Sequence, residues 1–243
     1  MSFSETPPDI NVEEFRKVVH SRRSIRRFLP DAIPDDVLDD CLDLAMLAPN
    51  SSNLQPWEFY VVKSDAQRAE LAEACLGQNA AKTAPVLIAI VARTNTWKKN
   101  SLRNIDEWPE ETMPSIVRNY YSRLALFHYN QGPLGSLGLA KRAMGLVAGL
   151  TRPVPRGPYS PSEMKVWAVK STALASENLM LALRAYGFDS CPMEGFDEHR
   201  VRKLLKLPRD GHVVMVLAAG KRAPKGIYNT RYRFDRSEFV HYV

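Results

Sequence analysis

Ser21-Arg22-Arg23-Ser24-Ile25-Arg26-Arg27-Phe28 places four guanidinium groups and two hydroxyls within one short segment. Guanidinium forks bind phosphate in a bidentate fashion and serine adds a further donor, so the run marks an anion site. Just upstream, Asn11 followed by Glu14 reads as an N-cap with its acidic partner, and Val12, Phe15, Val18 and Val19 fall near one helical face. A short helix therefore delivers the arginines at its C-terminal end. The dipole there favours cations, not a bound anion, so any phosphate has to be held by side chains.

Working outward, residues 1–10 read as a loose terminus. Pro34 suits the first turn of a second helix, Asp35, Asp36, Asp39 and Asp40 complement its dipole, and Val37, Leu38, Cys41, Leu42, Ala45 and Met46 form its buried stripe. Pro49 ends it. Residues 58–62 read as a strand and 85–91 as a fully buried one. Between 93 and 161 the periodicity loosens, with one helical stretch at 120–129, and residues 95–161 read as a cap or insertion. A long helix over 163–186 stops at Gly187, Asp197 caps another running to Leu205, 212–219 is a strand, and 221–243 is an extended basic tail.

The chain has 243 residues, 45% of them hydrophobic, which suits one large domain spanning 1–243. The stretch 132–150 is weakly polar but interrupted by Lys141 and Arg142, short of the roughly 20 apolar residues of a membrane span. The first ten residues have neither a basic start nor an apolar core, so no secretory signal is expected and the cytoplasm is the default location. Cys41, Cys75 and Cys191 form no C-x-x-C pair and the five histidines show no ligand spacing, which argues against a disulfide framework or a metal site. Net charge is +6, yet residues 200–236 hold eleven Lys or Arg against Asp210 and Asp235, a local balance of +9. Such a segment is a solvated basic face, a phosphate-ligand site or a nucleic-acid surface.

No G-x-G-x-x-G turn, G-x-x-x-x-G-K-[ST] loop or G-x-S-x-G elbow occurs, so a nucleotide-like cofactor would depend on cationic side chains. Three ordered segments carry a resemblance: Arg22-Arg23-Ser24-x-Arg26, Pro49-Asn50-Ser51-Ser52-Asn53-x-Gln55-Pro56-Trp57, and Pro192-Met193-Glu194-Gly195-Phe196-Asp197. Together they resemble the signatures of the FMN-dependent nitroreductases, over most of the chain from Val12 to the tail.

The resemblance implies an α+β sandwich, a mixed and mostly antiparallel sheet covered by helices, built as an intertwined homodimer with FMN at the subunit interface. It implies that Arg22, Ser24 and Arg26, with Arg23 beside them, contact FMN phosphate, ribityl and pyrimidine. Pro49, Asn50, Ser51 and Asn53, with Gln55 in the same motif, would reach the flavin from the other subunit, while Pro56 and Trp57 anchor the loop by packing. Pro192, Met193, Glu194 and Gly195 form the segment whose Glu194 N–H meets flavin N5, so its backbone placement matters more than the side chain. Arg231 and Arg233 match the late basic pair on the phosphate. Arg26 is the expected cation near the reduced flavin's developing negative charge.

The activity so implied is NAD(P)H-dependent reduction of an electron-poor small molecule, such as a nitroaromatic or quinone, with NADH or NADPH as reductant and no dedicated acid or base. A specialised flavin reaction on the same fold, reductive dehalogenation or flavin fragmentation, is the alternative. It finds no convincing Glu, Tyr and Lys lid set in 95–161. A nucleic-acid module would explain the basic tail with Tyr228, Tyr232 and Phe234 but neither polar motif, and a cofactor-free relative is disfavoured by the intact ligand set. Trp108, Tyr120, Phe127, Tyr129 and Trp167 are aromatic candidates for stacking on a substrate.

Overall fold

The computed structural model describes residues 6–243. The expected loose terminus lies partly outside them, and residues 6–11 precede the first helix without regular structure. Helix α1 (Val12–Ser21) begins where Asn11 accepts from the N–H groups of Glu13 and Glu14, at 3.0 and 3.4 Å, and α2 spans Asp35–Met46. Strand β1 (Trp57–Val62) is followed by α3 (Asp65–Ala74), α4 (Asn79–Thr83) and β2 (Val86–Arg93).

The segment read as a cap or insertion, with one helical stretch at 120–129, is largely helical: α5 (Trp97–Asp106), α6 (Ser115–Asn119), a π turn at Tyr120–Leu124, α7 (Ala125–Tyr129) and α8 (Ser136–Ala148). Its order comes from polar contacts that periodicity does not reveal. Lys141, buried in α8, donates to the carbonyls of Phe127, His128 and Asn130 at 3.0, 2.7 and 2.7 Å, satisfying the end of α7. The chain closes with α9 (Pro161–Ala185), β3 (Asp189–Met193), α10 (Glu198–Leu204) and β4 (Gly211–Gly220), followed by the tail.

The four strands form one sheet in the order β1-β2-β4-β3, and every strand pairing is antiparallel. Alternation along β2 explains the layers: Val86, Ile88 and Ile90 face α2 and α9, while Leu87, Ala89 and Val91 face α3, α4 and α10. Helices therefore cover both faces, and the α+β sandwich holds. A bulge opposite Ile90 and Val91 leaves Val214 unpaired in β4. Cys41, Cys75 and Cys191 are free and buried, and burial pushes the thiols of Cys41 and Cys75 up to about 11, which keeps them protonated.

Candidate functional site

The arginine run leaves α1 extended and lies along the free edge of β3. Ile25 is fully buried, its N–H donates to Ser190 O at 3.0 Å, and Ser24 bridges Ser190 in parallel. That anchor turns the neighbouring side chains outward. On its other side the tail closes in, with Arg26 N–H donating to Gly226 O at 2.7 Å. A Cβ at Gly226 would lie 2.8 Å from Arg27 O, so only glycine permits this approach.

Beneath the run sits Asp189, 3% exposed, bound by Arg222 at 2.7 and 3.0 Å and by Arg184 at 2.9 Å. Arg222 is thus a clamp joining tail to sheet. Two cross-links complete the frame: Arg23 donates to Asn229 O and Arg231 to Arg22 O. The resulting cleft, about 370 Å³, is lined by Arg22, Arg23, Ser24, Arg26, Tyr228, Arg231 and Arg233.

Five guanidinium groups here meet little opposing charge. Glu177 stands 3.6 Å from Arg22 Nε. Desolvation first, then repulsion from Arg23, Arg233 and Arg22, holds the Arg231 guanidinium below its ordinary value. Arg26 also reaches toward β3, with Nη1 at 3.2 Å from Cys191 Sγ.

The register of β3 decides what its edge offers. Ser190 presents its carbonyl to Ile25, and alternation turns the backbone groups of Pro192 and Glu194 to that same outer side and those of Cys191 and Met193 toward β4, with which the whole strand is in register. Proline belongs at such a position, because an edge residue loses no ladder bond. Glu194 and Gly195 then emerge exposed, and among the described residues the Glu194 N–H has no backbone acceptor. A Cβ at Gly195 would meet Gln78 Nε2 at 3.4 Å, an ordinary contact, so packing within the chain does not itself demand glycine.

Gln78 and Asn79 join the two features. Gln78 Nε2 donates to Gly195 O at 2.8 Å and Asn79 Nδ2 to Tyr228 Oη at 2.9 Å.

The polar loop 49–55 is ordered elsewhere. Ser52, Asn53 and Gln55 all take positive φ, at 61°, 48° and 43°, a conformation that costs non-glycine residues and needs outside support. Buried Tyr129 supplies it, its hydroxyl lying 2.8 Å from Ser51 Oγ and 3.0 Å from Ser52 Oγ. From α5, Asn100 donates to Leu54 O at 2.7 Å and Asn104 to Asn53 O at 3.0 Å. Asn50 Oδ1 accepts from Gln55 N–H at 2.8 Å, and buried Pro56 and Trp57 anchor the far end.

One chain therefore brings Arg22, Arg23, Ser24, Arg26, Arg231 and Arg233 into one cleft; the 192–195 edge does not line it and is linked to it through Gln78, Asn79 and Tyr228. It does not bring Pro49, Asn50, Ser51, Asn53 or Gln55 into that cleft. Asn53 and Gln55 instead line a broader cavity of about 1340 Å³ with Trp57, Phe59 and Trp108. Of the other aromatic candidates, Trp167 and Tyr129 are core, Phe127 is exposed, and Tyr120 hydrogen-bonds Ser52.

The sequence model of the nitroreductase family matches residues 19–221, which include the arginine run, the polar loop and the Glu194 edge. The chain belongs to the nitroreductase family. This nitroreductase-family chain is 31% identical over 215 residues to an NADH dehydrogenase of Thermus thermophilus, covering 88% of this chain and 90% of that one. It is 30% identical over 205 residues to protein DrgA of Synechocystis, covering 84% and 82%.

Solved structures share the fold. A nitroreductase family protein of Streptococcus pneumoniae superposes with a TM-score of 0.70 at 21% identity, covering 96% of this chain and all of that one. An Exiguobacterium sibiricum protein solved in complex with FMN superposes with a TM-score of 0.68 at 24% identity, over 99% of this chain and 100% of that one.

Proposed function

We propose that the protein is an FMN-dependent NAD(P)H oxidoreductase whose flavin sites are each built from two copies of the chain. The observation that carries this reading is the division of the site. The arginine cleft and the Glu194 edge form one half, the ordered 49–55 loop forms the other, and no residue of that loop lines the cleft.

The residues fit the group. A cleft of five guanidiniums with little opposing charge, one of them held below its ordinary value by desolvation and then by its neighbours, asks for a dianionic phosphate. The free Glu194 N–H beside it offers a backbone donor to a ring nitrogen or carbonyl, and Gly195 leaves the open side unobstructed. Arg26, placed between the cleft and β3, is suited to stabilise negative charge on a pyrimidine ring.

Bound FMN supplies the redox chemistry, taking hydride from NADH or NADPH and passing it to an electron-poor acceptor such as a nitroaromatic or quinone. The protein's own part is to hold, orient and shield. Asp189, Arg184 and Arg222 fix the floor of the cleft, Gln78 and Asn79 fix its edge, and Tyr129 with Asn100 and Asn104 fixes the loop.

Complementation tests the shared site. An Arg22→Ala chain and an Asn50→Ala chain, each expected to bind FMN weakly alone, are unfolded together and refolded. Random pairing makes about half the dimers mixed, each with one intact site, so about a quarter of all sites should regain tight FMN binding. Mixtures that bind no better than either parent would exclude a site shared in this way.

A further inference from the structure

Helix α8 is built inside out. Leu139, Ala143, Leu146 and Val147, with Leu150 just beyond its end, recur at helical spacing on one side, and that side faces solvent. Leu139, Leu146, Val147 and Leu150 are 71, 60, 70 and 84% exposed. The side toward the protein carries Gly138, Lys141 and Gly145 instead.

Those inward residues hold the helix firmly in this orientation. A Cβ at Gly138 would lie 1.9 Å from Tyr159 O, and one at Gly145 would lie 2.8 Å from the Tyr159 hydroxyl. Lys141 binds its three carbonyls on the same side. The glycine spacing serves this close packing against the 153–160 segment. Rolling the helix to bury its leucines would break all of it.

Charge indicates what covers the apolar face. From 112 to 162 the chain has no Asp or Glu, yet it has Arg118, Arg123, Lys141, Arg142, Arg152 and Arg156. Arg142 pairs with Glu163, whereas Arg118, Arg123, Arg152 and Arg156 meet no carboxylate among the described residues. Exposed Leu124, Phe127 and Leu134 lie within the same acid-free stretch.

We propose that α8 and its flanking arginines form a seat for an anionic lipid surface, with the apolar face entering the headgroup boundary and the cations resting on lipid phosphates. A nucleic acid would match the cations but leave the leucines in water. In a symmetric contact, the acid-free stretch of a second copy would offer the cations no carboxylate. A second copy also has other exposed apolar residues to use, among them Phe15, Met46, Leu47 and Leu174 on α1, α2 and α9. The seat is peripheral, since among the described residues no helix is long and apolar enough to cross a membrane.

Vesicle flotation of the purified full chain tests this, using phosphatidylcholine vesicles with and without phosphatidylglycerol. We expect flotation with the anionic vesicles, at least about tenfold weaker on phosphatidylcholine alone and weakened by salt. The L146E/V147E variant should lose flotation by about tenfold or more while keeping its sedimentation mass and circular dichroism. Absence of flotation, equal flotation on neutral vesicles, or flotation retained by the variant would overturn the proposal. A fall in the variant's mass would also overturn it, by assigning the face to a second copy.

Discussion

Arg231→Gln isolates the phosphate-binding role proposed for the cleft. The guanidinium projects from the tail, donates to Arg22 O, and is pushed below its ordinary value by desolvation and by Arg23, Arg233 and Arg22. In a cleft this open the effective dielectric is close to that of water, where two unit charges at about 4 Å interact by about 1 kcal/mol. Against a phosphate monoester carrying about two negative charges, the lost contribution is about 2 kcal/mol. That weakens FMN binding by about thirtyfold. Fluorescence titration of the apoprotein gives the dissociation constant, and riboflavin, which lacks the phosphate, is the control. We expect riboflavin affinity to change by less than about threefold and the salt dependence of FMN binding to become shallower. Unchanged FMN affinity, or equal weakening of FMN and riboflavin, would refute the assignment, because the second pattern is that of a damaged fold.

Asp189→Ala leaves Arg184 and Arg222 without their shared buried carboxylate and should lower stability by about 3–5 kcal/mol in urea unfolding; a loss under about 1 kcal/mol would contradict the clamp. Tyr129→Phe removes a hydroxyl shared by Ser51 and Ser52, which should cost about 1–2 kcal/mol and weaken FMN several-fold by loosening the loop. Equal FMN affinity in the two proteins would show that Tyr129 does not position the loop. Burial first, then neighbouring cations, holds His128 and His212 below their ordinary 6.5. The unfolded chain therefore takes up their protons first as pH falls. Stability should be level above pH 6.5 and decline below it by no more than about 1.4 kcal/mol per pH unit for each histidine. Urea midpoints measured from pH 7.5 down to about 5 check this, and a rise with falling pH would oppose it.

The parts legible in the sequence were those fixed by local chemistry. Asn11 and Asp197 cap their helices through their own side chains, Gly187 ends α9 at φ 83°, and the apolar run of β2 is buried on both faces. What escaped was fixed by distant partners. Helix α5 has one buried residue, Ser101, and no apolar stripe; Ser101, Asn100 and Asn104 hold it by hydrogen bonds to Tyr121 and the 49–55 loop. Helix α8 turns its apolar stripe outward, so periodicity misdirects.

In the site, a cluster of cations was readable because the run itself supplies four arginines, three of which, Arg22, Arg23 and Arg26, the structure brings to one cleft with Arg231 and Arg233. The clamp made by Arg222 has no local signal, since nothing near it in the sequence shows that Asp189 lies buried beside it. Gln78 and Asn79 gain their meaning only when α4 packs beside Gly195 and Tyr228. The three positive-φ residues of the polar loop, none of them glycine, gave no sign of their conformation.

The most direct test of the account is the visible absorption spectrum of the purified protein, incubated with FMN, dialysed, and then titrated without oxygen with NADH and NADPH. The account predicts about one tightly held flavin per chain, whose visible bands bleach on addition of one or both nicotinamides and return with a nitroaromatic or quinone acceptor. A protein that emerges from dialysis without flavin absorption, or whose bound flavin neither nicotinamide can bleach, would contradict it.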